Sequence, residues 1–173
     1  MKAAVRYWWI IWLFGLFVFA LLRIPHGPLA IPEVPGGIFD HQAAGTAAEV
    51  NRIQQAWSDA GLLGHARWGM IGDFLFIGLY GLGSVLGGVS FRQAGSGFLR
   101  VAGLLVAVAG AIFLFTDYAE TIAQFIQLTS MRGDDGLASL AATMQPIKMV
   151  AFGVSFLGTL ALLVIRRMKA RAG

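Results

Sequence analysis

Four runs of about twenty apolar residues constrain this chain more than any other feature. A bilayer core about 30 Å thick is crossed by roughly 20 mostly apolar residues rising 1.5 Å each. Segments near 7–22, 68–89, 98–120 and 147–165 meet that requirement. Charged residues make up 13% of the 173 positions, about half the roughly 25% usual in a soluble domain. The expected fold class is therefore all-α: a polytopic four-transmembrane-helix bundle forming one membrane domain over 1–173, with no room for a separate soluble domain. The first run follows Lys2 and Arg6, as a signal peptide would, but no small-residue cleavage site follows Leu22. Trp8, Trp9 and Trp12 suit a retained anchor.

Orientation follows from where the basic residues fall. With the N-terminus in the cytoplasm, the inner pieces carry Lys2, Arg6, Arg92, Arg100, Arg166, Arg167, Lys169 and Arg171 and no acid. All nine acidic residues then lie on the outer side. The positive-inside rule is met at each inner segment, which places both termini in the cytoplasm. The same arrangement accounts for the sequence pI near 10.0: the cationic excess borders membrane segments, so nucleic acid is not an expected partner. The arginines of the C-terminal tail, with Lys169, suit anionic lipid headgroups.

The hinge between spans two and three is short and glycine-rich, from Arg92 to Gly97. The first outer loop is long, over 23–67. It opens with Pro25, Pro28, Pro32 and Pro35, which predicts an extended stretch that is not helical throughout. Thr46 and Glu49 then have capping-box spacing, so a helix over about 46–60 is expected, ending near Gly61. Val50, Ile53 and Trp57 fall on one stripe of it. This amphipathic helix is expected to lie across the outer end of the bundle, either covering apolar surface or roofing a site.

The informative residues are the ionisable ones within the apolar runs. Arg92 to Asp73, Arg100 to Asp117 and Arg166 to Lys148 span 19, 17 and 18 positions, roughly 25–29 Å of helix rise each. Arg23 reaches a similar height above Arg6. Four spans thus deliver charge to one outer plane: Asp73, Asp117 and Glu120 against Arg23, Arg67 and Lys148, with His65 able to rise near Asp73. A charge at the helix centre costs about 2.5–3.5 kcal/mol on the insertion scale, so such residues face protein and pair with one another. Asp73, Tyr80 and Ser84 share one helical stripe, as do Lys148, Ser155 and Thr159. Asp117 continues through Glu120, Thr121 and Gln124 and is preceded on its face by Gly110 and Gly103. Gly83 and Gly87 form a GxxxG pair near the first stripe.

Two readings of this layer stand side by side. In one it is a lock that holds four helices in register. In the other it lines an outward polar pocket, the usual meaning of intramembrane ionisable residues. Ion or proton movement is disfavoured because nothing ionisable lies in the cytoplasmic half of any span.

Other chemistry is sparse. There are no cysteines, which excludes disulfides and thiolate metal sites. His26, His41 and His65 all fall in the first outer loop without HExxH or paired spacing; they read as interfacial histidines, and no metal or cofactor is expected. No nucleophile elbow, phosphate-binding lysine loop or dinucleotide motif occurs. The string Asp73-Phe74-Leu75-Phe76-Ile77 with Tyr80, then Asp117 with Glu120, then Lys148, resembles a pattern in a family of uncharacterised bacterial four-helix inner-membrane proteins. The resemblance covers most of the chain; it implies a bacterial inner membrane and no activity. The expected function is a non-enzymatic binding or accessory protein, taking a lipid headgroup, a small polar ligand or a partner membrane subunit. The alternatives are a small lipid-directed enzyme using Asp73 or Glu120 as general base, or a proton- or cation-coupled transporter formed as a homo-oligomer.

Overall fold

The computed structural model describes residues 5–94 and 97–172, without the side chains of 169, 170 and 172. Lys2, the hinge positions 95–96 and the Lys169 side chain lie outside the described residues. The fold is all-α. Helix α1 (Trp8–Leu21) runs into a short helix α2 (Arg23–His26) and a 3-10 turn (Gly27–Leu29). A small helix α3 (Ile38–Ala43) and the amphipathic α4 (Ala47–Asp59) follow. Three long helices complete the chain: α5 (Leu63–Ala94), α6 (Phe98–Ser130) and α7 (Asp135–Ala172). Four helical segments, Trp8–Leu29, Leu63–Ala94, Phe98–Ser130 and Asp135–Met168, are long and apolar enough to cross a membrane. Their outward faces carry exposed Phe14, Phe17, Leu105, Val150 and Leu157, the surface a lipid-facing helix needs and a soluble one avoids. The chain reads as a multi-pass membrane protein.

Helix packing follows the chain order, α1 on α5, α5 on α6 and α6 on α7, and small residues make it close. A Cβ on Gly15 would lie 2.7 Å from the Tyr80 backbone nitrogen, and one on Gly83 would lie 2.7 Å from Trp12 Cα. Gly103 presses on Gly88, where an added Cβ would meet a carbonyl at 2.8 Å. Without a hydrophobic force between helices in lipid, such close approach is what supplies the attraction. Across the remaining side, α1 and α7 are linked by rings: Trp12 stacks on Phe156 with centroids 5.8 Å apart, and Phe19 lies 5.9 Å from Phe152.

The long helices overrun the expected spans. At 32 residues, α5 is about 48 Å long, well beyond a bilayer core. The surplus sits at the end that carries 23–67, where it builds a second apolar core. Leu29, Val34, Ile38, Ile53, Trp57, Met70 and Leu128 pack there, separate from the core around Trp12, Ile77, Tyr80, Phe113 and Leu162. The expected outer limits near 68, 120 and 147 therefore fall inside helices, because helix formation continues wherever protein instead of lipid covers the backbone. Pro146 sits within α7 and does not mark its start.

The proline segment is more compact than an extended chain. Pro25 falls in the first turn of α2, where a missing N–H breaks no helical bond. Pro28 occupies the 3-10 turn, and Ile31 and Val34 exchange backbone hydrogen bonds. The indole N–H of Trp57 donates to the Leu29 carbonyl at 3.0 Å, and Arg52 donates to the Glu33 carbonyl at 2.8 Å. The segment is thereby tied to α4. Helix α4 begins as its sequence implies: the Thr46 hydroxyl accepts from the Glu49 N–H at 3.3 Å, and Val50, Ile53 and Trp57 are buried. Its first turn is held to the α6–α7 connection, with Ala47 N–H donating to Asp135 and Gly133 N–H to Asn51.

Candidate functional site

The charged residues lie between the two apolar cores. Proceeding along α5, Met70 belongs to the core around Trp57 and Phe76 to the core around Tyr80, and Asp73 falls between them. On α6 and α7, Asp117, Glu120 and Lys148 occupy the same level. Lys148 Nζ donates to Asp117 Oδ1 at 2.8 Å and to Glu120 Oε1 at 2.7 Å. All three are buried, Glu120 completely, at 0% exposure. The pairing expected for Lys148 is thus made by Asp117 and Glu120, while Asp73 has a different neighbour. Its Oδ2 lies 3.4 Å from His26 Nε2, an ion-pair distance that counts as one only for a protonated imidazole, and the two are not aligned as a hydrogen bond.

His26 reaches this position because α2 prolongs α1 past Arg23. Phe19, Leu22 and His26 fall on one face, turned toward α5. Gly69, one turn before Asp73, leaves room for the imidazole: a Cβ at that position would collide with the ring. The reading of His26 and His41 as interfacial is corrected by the structure. His26 stands against Asp73, and His41 is almost wholly buried beneath α4. His41 Nε2 meets the Gln54 amide at 3.2 Å, its ring lies 5.3 Å from that of Trp57, and its Nδ1 has no partner among the described residues. With the Gln54 amide oriented to satisfy its neighbours, it accepts from His41 and the Leu128 N–H and donates to the Gln127 carbonyl. Burial lowers the His41 pKa from 6.5 to about 4, so the ring is held neutral.

His65 and Arg67 do not join the layer. Both are exposed at the start of α5, on the turn that leads away from α4. Helical continuation of α5 back to Leu63 carries them about 9–12 Å beyond Asp73. Arg23 is also exposed, but it lines a hollow beside the layer.

A cavity of about 150 Å³ occupies the space between α1 and α7 at the level of these charges. Asp73, Asp117, Lys148 and His26 stand on its walls, with the rings of Phe19, Phe76, Phe113 and Phe152. Ile38, Phe39 and Gln42 of α3 form its roof. It adjoins the hollow of about 330 Å³ that Arg23 lines, sharing Phe19, His26 and Asp73 with it. Phe19, Phe39 and Met149, at the rim between α1 and α7, are exposed. The roof helix, the four rings and His26 are the parts that sequence reasoning missed. A helix running through Pro25 would have put His26 on the Phe19 face, but the expected proline-driven stop hid that signal.

Toward the opposite end, the expected polar stripes meet one another. Tyr80 donates to the Phe152 carbonyl at 3.2 Å and its hydroxyl lies 2.8 Å from Ser155 Oγ. Ser84 and Thr159 are fully buried. Comparison with protein-family models, with curated proteins and with solved structures gives no match to this chain.

Proposed function

We propose that this chain is a non-enzymatic binding protein of a bacterial inner membrane whose cavity holds the head of an amphiphile drawn from the bilayer. The observation that carries the reading is the placement of the cavity: Asp73, Asp117 and Lys148 line a space between α1 and α7, helices that ring pairs link. A mostly apolar hollow with a few convergent polar groups is the usual form of a small-molecule site. Its exposed rim residues are Phe19, Phe39 and Met149, side chains suited to contact acyl chains and not water. A layer serving only as a lock would leave no cavity at its level, whereas Asp73, Asp117 and Lys148 all line one. In the membrane, both termini and the hinge near Arg92 face the cytoplasm, because the basic residues cluster there, and the α3–α4 cap faces outward.

The reading is tested by native mass spectrometry of the protein released from mild detergent. A bound lipid or amphiphile should co-purify with the wild type. Met149→Trp, which fills the rim, should lose it while retaining the thermal stability of the wild type. Retention of the same adduct by the Trp variant would place the ligand elsewhere and refute the reading.

A further inference from the structure

The charge balance around the cavity specifies more than its location. Three carboxylates, Asp73, Asp117 and Glu120, share the layer with one lysine. Lys148 is committed to two of them, at 2.8 and 2.7 Å. Asp73 is left on the cavity wall with the misaligned His26 nitrogen as its neighbour at 3.4 Å, and an imidazole carries a full charge only when protonated. Arg23, the nearest fixed cation on the first helical segment, lines the adjoining hollow and makes no ion pair with Asp73 among the described residues.

Resting on the reading that this cavity holds a ligand, we infer that the group it receives is an ammonium, primary or quaternary, with Asp73 as counter-ion and phenylalanine rings as walls. Three features converge on that chemistry. An anionic head would enter a layer that already has a carboxylate excess, and a neutral one would leave Asp73 to be neutralised by a proton in place of a counter-ion. An ammonium compensates it. The rings of Phe19, Phe76, Phe113 and Phe152 line the same space, and the negative faces of aromatic rings attract cations within about 6 Å. The volume is also suitable. An apolar cavity of about 150 Å³ accommodates a benzene-sized guest, which matches a trimethylammonium or ethylammonium group and its link.

The ammonium can be carried on a lipid chain or on a small soluble amine, and the rim between α1 and α7 favours the first. Binding is measured on the full chain in dodecyl maltoside, a neutral detergent, with three probes: dodecyltrimethylammonium, tetramethylammonium and dodecyl phosphate. The expected result is saturable binding of dodecyltrimethylammonium, at least tenfold tighter than tetramethylammonium, with no competition from dodecyl phosphate. Asp73→Asn should weaken it at least tenfold, and Met149→Trp should abolish it. Equal affinity for the two ammonium probes would support the ammonium and assign it to a soluble amine. Should dodecyl phosphate bind better, or Asp73→Asn bind unchanged, while Met149→Trp still abolishes binding, the ammonium inference is overturned and the cavity reading stands. Binding of every probe unchanged by Met149→Trp overturns the cavity reading itself. If Asp73→Asn does not fold, the cation-against-anion preference of the wild-type protein decides.

Discussion

Glu120 Oε1 sits 2.7 Å from Lys148 Nζ in a site from which the carboxylate is completely screened. The lysine also holds Asp117, so one cation neutralises part of the burden of two anions across the α6–α7 interface. Removing a single member of such a group costs about 3–5 kcal/mol, because the partners stay buried without compensation. Lys148→Met should therefore lower the thermal unfolding temperature in detergent far more than an average substitution. The triple variant Asp117→Asn, Glu120→Gln, Lys148→Met should recover much of that loss. A triple variant no more stable than Lys148→Met would mean that the charges themselves, and not their mutual compensation, support the fold.

The proposed orientation makes a separate prediction. Reporter fusions after Arg92 and after Arg171 should give cytoplasmic signals, and one after Gly133 a periplasmic signal. A periplasmic signal after Arg171 would refute the proposed orientation, and beside a cytoplasmic signal after Arg92 it would exclude two crossings between those positions.

The cap should respond to acid. Burial holds His41 neutral with a pKa of about 4, against 6.5 in an unfolded chain. The unfolded state thus binds the extra proton first. Stability conferred by the neutral ring is complete above about pH 6.5 and is lost as the pH falls toward 4, by about 3 kcal/mol at most. Protection against hydrogen exchange over residues 38–59, taken relative to the intrinsic rate at each pH, should fall between pH 7 and pH 5, and His41→Gln should flatten that dependence. Protection factors in this segment that stay constant with pH would show that protonated His41 is accommodated without opening.

Glycine packing gives a prediction with an internal control. A Cβ on Gly15 would lie 2.7 Å from backbone of α5, whereas one on Gly64 would meet nothing within 4 Å. Overpacking of this kind costs about 1–3 kcal/mol. Gly15→Val should lower the unfolding temperature by several degrees, and Gly64→Ala should leave it unchanged. Comparable values for the two variants would refute close α1–α5 packing.

The four apolar runs and the level of Asp73, Asp117 and Lys148 were legible in the sequence because each depends on one quantity, the rise per helical residue. Thr46 and Glu49 likewise announced α4 through a local bond. Partner choice was less accessible. Whether Lys148 meets Asp73 or Glu120 depends on the rotation of α6 between α5 and α7, which close contacts such as Gly103 on Gly88 and Gly158 on Val106 set in three dimensions. His26 escaped notice because Pro25 argues against a helix unless it falls in a first turn. His65 and Arg67 were drawn toward the layer by proximity in sequence, while the continuation of α5 to Leu63 moves them away from it. The cavity roof, α3, has six residues, too few for its pattern to be read without the surfaces it covers.

The lysine and its two acids also bear on how the protein enters its membrane. Asp117 and Glu120 belong to α6, Lys148 belongs to α7, and the helices are joined by the turn 131–134. Released alone from the insertion machinery, α6 would expose two carboxylates to lipid, and α7 an ammonium. Each such charge costs about 2.5–3.5 kcal/mol at mid-bilayer and less toward the interface. Together, as a hairpin, they arrive with the lysine shared between the two acids and one net negative charge in place of three separate charges. The α6–α7 pair is then the unit that enters lipid at less cost than its helices do singly. The first transmembrane helix, which has no ionised residue between Trp8 and Leu21, needs no such companion.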